Sequence, residues 1–86
     1  MDAAVRGLLL RILERAAGGP EALADIEVTV IGGVATLEGD VPTVEIAESL
    51  RDAALNADGI VAIAGSLRAR ESGRLVSMAL QDGTGP

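Results

Sequence analysis

The apolar positions near the start of the chain recur at helical spacing. Val5, Leu8, Leu9, Ile12, Leu13 and Ala16 follow i, i+3, i+4, i+7, i+8 and i+11, so residues 3 to 16 are predicted to form an amphipathic helix. Leu10 falls beside that stripe and makes the apolar face wider than one core contact requires. Gly18-Gly19-Pro20 ends the pattern.

From Asp25 the period becomes two. Ile26, Val28 and Val30 alternate with Glu27, Thr29 and Ile31, and after Gly32-Gly33 a second alternation sets Ala35 and Leu37 against Val34, Thr36 and Glu38. These are two strands joined by a tight reversal, because a two-residue hairpin turn wants positive φ and glycine takes it at least cost. A phosphate-binding loop would need its glycines between a strand and a helix N-terminus, and here both flanks are strands. The two-residue loop sets the register: 31 opposite 34, 30 opposite 35, 28 opposite 37 and 27 opposite 38. One face of the hairpin then gathers Ile26, Val28, Val30, Ala35 and Leu37 as core. The other gathers Ile31 with Val34, Thr29 with Thr36 and Glu27 with Glu38.

Pro42 and Thr43 introduce a second helix, with Thr43 as N-cap and Glu45 and Glu48 near the positive end of its dipole. Ile46, Ala47, Leu50, Ala53, Ala54 and Ala57 form its core stripe, and Asp58-Gly59 closes it. Residues 60 to 70, "IVAIAGSLRAR", read as a third strand with Ile63, Leu67 and Ala69 inward and Ala62, Ala64, Ser66, Arg68 and Arg70 outward. A right-handed crossover through the second helix makes this strand parallel to the second. Residues 75 to 80, "LVSMAL", suit either a fourth strand or a short helix, while "QDGTGP" at the end reads as disordered. The expected architecture is α+β: two helices on one face of a three-stranded mixed sheet in the order α-β-β-α-β, with a possible extra C-terminal element.

Length makes this one domain, because 86 residues leave no room for a second. Residues 1–70 carry the repeating elements and 71–86 an extension. Nearly half the residues are apolar, yet none is Phe, Tyr or Trp, and the chain has neither Cys nor His. Thiolate nucleophiles, imidazole bases, disulfides and the usual zinc ligands are therefore excluded, and an enzyme is not expected. The net charge of −6 repels phosphate backbones, and without aromatic stacking surfaces nucleic acid is not an expected partner. The longest early apolar run, "LLL" at 8 to 10, is far short of the roughly 7–15 residues of a signal peptide or the roughly 20 of a membrane span. As it stands the chain reads as cytoplasmic. A fragment processed from a longer precursor would instead belong to the periplasm or envelope.

The segment "DIEVTVIGGVATLEGDV", an alanine-bearing helix and then "GIVAIAGSL" together resemble the BON domain, named for bacterial osmotically induced and nodulation proteins. Gly33, Leu37, Gly39, Ala47, Gly59, Ile60, Ile63 and Leu67 fall in register with the family pattern, over about residues 5 to 69. Gly32, Ala35 and Gly65 depart from it; the family more often has a polar turn residue, a larger aliphatic and Asn there. The resemblance implies lipid or envelope association, attachment to larger machinery or, in some multidomain members, cation sensing.

Two kinds of function follow. One is a non-catalytic module that binds itself or a protein partner through the outer sheet face of Ile31, Val34, Ala62 and Ala64, or through the wide stripe of the first helix. The other is a ligand module in which Arg68, Arg70 and Arg74, the one basic concentration, hold an anionic phospholipid headgroup. The same arginines could instead neutralise Glu27 and Glu38, whose like charges face each other across the hairpin. Asp25, Asp40 and Asp58 sit at element ends, where turn and capping roles are the default and a weak cation site is the lesser reading. Gly32, Gly33, Gly39 and Gly59 are read as structural turn residues, and no catalytic residue, cofactor or metal site is assigned.

Overall fold

A computed structural model of the chain describes residues 3 to 79. Residue 80 of the apolar C-terminal segment and the "QDGTGP" end, expected to be disordered, lie outside the described residues.

The elements run α1 (Ala3–Ala17), a 3-10 turn (Pro20–Leu23), β1 (Ile26–Ile31), β2 (Val34–Val41), α2 (Val44–Leu55), β3 (Ala62–Ala69) and β4 (Leu75–Ser77). The strands form one mixed sheet in the order β1-β2-β3-β4. β1 and β2 are antiparallel with Ile31 opposite Val34 and Glu27 opposite Glu38, as the two-residue loop requires. Gly32 and Gly33 both hold positive φ, 58° and 81°, the geometry of a type I′ turn. β3 lies parallel to β2, as the crossover through α2 demands.

The expected three-stranded sheet gains a fourth strand. β4 pairs antiparallel with β3, Leu67 opposite Val76, after a turn in which the Ala69 amide donates to the Arg74 carbonyl at 2.8 Å. A three-residue strand is too short for periodicity to announce. The rest of its segment follows the same rule: Val76 and Met78 are buried and Leu75 and Ser77 exposed.

One face of the sheet packs on the two helices. Val28, Val30, Ala35, Leu37, Ile63 and Leu67 from the strands meet Leu9 and Leu13 of α1 and Ala47, Leu50 and Ala54 of α2. Small alanines on α2 let that helix lie close to the sheet, which suits a core built without aromatic rings. Thr43 caps α2 as expected, its Oγ1 accepting from the Ile46 amide at 3.2 Å, whereas the helix ends at Leu55 with Asn56 as cap, before Asp58-Gly59.

The core stripe of α1 is narrower than expected. Leu9 and Leu13 are fully buried, but Leu8 is 55% and Ile12 37% exposed. The apolar arc of this helix spans more than the sheet can cover, and the excess is turned to solvent beside α2.

Gly65 stands inside β3 at φ 93°, where a Cβ would run into the Leu37 carbonyl of the neighbouring strand. Only glycine permits that approach. Gly39 is likewise a strand residue, opposite Ile26, and not a turn; Gly59 lies in the loop before β3, against Val5.

Candidate interaction surfaces

The second face of the sheet carries no covering layer among the described residues. Residues 75 to 79 extend the sheet sideways and bury Val76 and Met78, so they leave that face open. Its rows follow from the register. Ile31, Val34 and Ala62 stand side by side, then Thr29, Thr36 and Ala64, then Glu27, Glu38, Ser66 and Ser77, then Asp40, Arg68 and Leu75. The face is thus graded from an apolar end at the hairpin turn to a charged end. Ile31 is 72% exposed, Val34 and Ala62 are exposed, and Ala64 is half-buried. Val61, also exposed, lies just before β3 beside Gly33, its amide bonded to the Gly33 carbonyl at 2.8 Å, on the alternation of Ile63 and Leu67 rather than that of the open face.

The arginines are arranged differently from the expectation. Arg70 does not reach Glu27 or Glu38; its Nη1 pairs with the Asp25 carboxylate at 2.9 Å, the one ion pair among the described residues. Arg68 stands in register with Asp40 rather than with the glutamates. The strand pairing explains this, since Glu38 is level with Ser66 and the arginines lie one and two pleats further along. Glu27 and Glu38 face each other uncompensated but well exposed, where water screens their repulsion. Arg68 and Arg74 are exposed on either side of the β3–β4 turn.

Two further arginines have roles that residue spacing does not reveal. With Ile31 and Val34 exchanging hydrogen bonds, the backbone groups of Val28 point away from β2 to the open edge of the sheet. There the Val28 carbonyl accepts from Arg6 Nε of α1 at 2.8 Å. At the opposite edge the Ser77 carbonyl of β4 accepts from Arg51 Nη1 of α2 at 3.2 Å. Each outer strand thus has a free carbonyl covered by a guanidinium from the helix layer.

Among the described residues no group of three or more Asp and Glu side chains gathers as a metal site, and no helix is long and apolar enough to cross a membrane. Asp25 is held by Arg70, and Asp40 lies within β2.

The family model of the BON domain matches residues 2–71. The chain belongs to the BON family. BON domains are non-catalytic modules linked to interaction and phospholipid binding. Comparison with curated proteins and with solved structures finds no match. The BON match stops before β4, so the strand that buries Val76 and Met78 lies beyond the family's matched residues.

Proposed function

We propose that this BON domain is a non-catalytic interaction module that associates with a second copy of itself through the open face of its sheet. The observation that carries the reading is the exposed apolar row of Ile31, Val34 and Ala62, continued by Ala64, on a face that no described element covers. The molecule measures 38 × 35 × 16 Å, with the helices on one side of the sheet and the open face on the other. Burying the apolar end against its copy contributes about 25 cal/mol per Å², with the threonines beside it and the charged rows left as a polar rim. Residues 1–70 with β4 form the associating unit. Sedimentation equilibrium of the wild type and of Ile31→Lys in high salt tests the reading.

A second reading rests on Arg68 and Arg74, which are exposed and make no ion pair among the described residues, with Arg70 between them tied to Asp25. Guanidinium forks at one turn suit an anionic phospholipid headgroup. Flotation with liposomes with and without anionic lipid tests it: binding that needs the anionic lipid and falls as salt rises supports the reading, and indifference to both removes it.

A further inference from the structure

The helical side of the slab has an open feature of its own. A groove of about 600 Å³ runs between the two helices, lined by Leu8, Arg11, Ile12 and Arg15 of α1 and by Ala53 and Asn56 on the α2 side. Its floor includes the two leucine and isoleucine side chains that belong by spacing to the core stripe of α1 yet stay exposed. The helices are antiparallel, since the end of α1 at Ala17 lies by Pro42, just before α2, while Leu8 and Ile12 lie by the C-terminal half of α2.

The two helices also differ in charge. Arg11 and Arg15 stand on the groove with Asp58 across from them, and Glu14, also exposed, shares the adjoining recess with both arginines. The exposed acids of α2 are Glu45, Glu48 and Asp52, and its single arginine is drawn away to the Ser77 carbonyl at the sheet edge. Arg6, likewise, is drawn to Val28. What remains on the outer surface is two arginines against one glutamate on α1, beside three acids on α2.

Such a surface is complementary to itself. A two-fold axis along the groove keeps each residue at its level and exchanges left for right, so α1 of each copy lies on α2 of the other. Arg11 and Arg15 share the groove with Ala53, so they come to the level of Asp52, next to Ala53 in the chain, and of Glu48 one turn earlier. Leu8 and Ile12 then meet across the axis, where the exposed apolar floor is covered from both sides. We infer that the helix layer is a second self-docking face, distinct from the sheet face, whose occupant is the helix layer of another copy aligned by Arg11 and Arg15 on Glu48 and Asp52.

The test uses the Ile31→Lys chain, so that pairing through the sheet face is removed, at low ionic strength, where the Debye length is about 30 Å at 0.01 M. In this background one variant carries Arg11→Glu with Arg15→Glu, leaving both helices acidic, and a second carries Glu48→Arg with Asp52→Arg, leaving both basic. The parent is expected to sediment as a dimer and each variant alone as a monomer. An equimolar mixture of the two is expected to regain the dimer mass, because each helix again faces its opposite. Recovery in the mixture also rules out misfolding as the cause of the loss. A parent that is monomeric, a mixture that stays monomeric, or a variant that dimerises alone as well as the parent overturns the inference and leaves the groove to a partner of other chemistry. Failure of the sheet-face reading registers separately, as an Ile31→Lys substitution without effect in high salt.

Discussion

Arg6 of α1 donates through Nε to the carbonyl oxygen of Val28 in β1, 2.8 Å away and 22 positions on in sequence. The contact ties the first helix to the outer strand and covers a backbone acceptor on an otherwise open sheet edge. Edges of this kind invite pairing with another chain, and proteins commonly close them with a charged side chain. Arg51 does the same for β4 at Ser77. With a carbonyl on each edge occupied, association is directed to the two broad faces.

Arg6→Met keeps the aliphatic stem and removes the donor. It is expected to cost about 1 kcal/mol, seen as a fall in Tm of about 4–8 °C for a domain of this size. Arg51→Met, whose bond is longer and exposed, is expected to cost less. Thermal melts of both variants followed by circular dichroism check the order; equal losses, or none for Arg6→Met, contradict it.

Gly65 and Gly7 are expected to respond in opposite directions to alanine. At Gly65, φ of 93° and the Leu37 carbonyl both oppose a Cβ, so Gly65→Ala is expected to destabilise by at least about 2 kcal/mol. Gly7 lies within α1 at ordinary helical φ with open space around it, so Gly7→Ala is expected to stabilise by about 0.5–1 kcal/mol. Urea denaturation of the two variants beside the wild type measures both signs.

Much of the fold was legible because short-range constraints agree. Gly32-Gly33 between alternating runs dictates the turn, the turn dictates the register, and the register places Ile31 beside Val34 and Glu27 opposite Glu38. The stripe of α2 was legible because its apolar arc is narrow. In α1 the arc is broad enough that spacing alone does not distinguish the half on the sheet, Leu9 and Leu13, from the half at the groove, Leu8 and Ile12. For the segment of β4 the pattern left strand and short helix open, because three residues carry no period. The arginines were the hardest to read: a guanidinium spans several ångströms on a flexible stem, and its partner is decided by which strand lies beside which. So Arg70 found Asp25 instead of the hairpin glutamates, and Arg6 and Arg51 found backbone carbonyls no pattern marks.

Thr43→Ala tests the entry into α2. The threonine hydroxyl satisfies the Ile46 amide at the first turn, and its loss is expected to cost about 1 kcal/mol. Thr43→Asp, which keeps an acceptor and places a negative charge at the positive end of the helix, is expected to recover most of that loss. A Thr43→Ala variant that melts with the wild type contradicts the capping role.

Self-association through the sheet face is tested most directly by sedimentation equilibrium of the wild type and of Ile31→Lys in about 1 M salt, where charge pairing is screened within about 3 Å and apolar burial persists. Ile31 is 72% exposed at the apolar end of the open face, so a lysine there leaves the fold intact and puts a charge into the contact. The wild type is expected to associate at high micromolar concentration and Ile31→Lys to remain monomeric. A wild type that stays monomeric, or an Ile31→Lys variant that associates as well as the wild type, contradicts the assignment of that face.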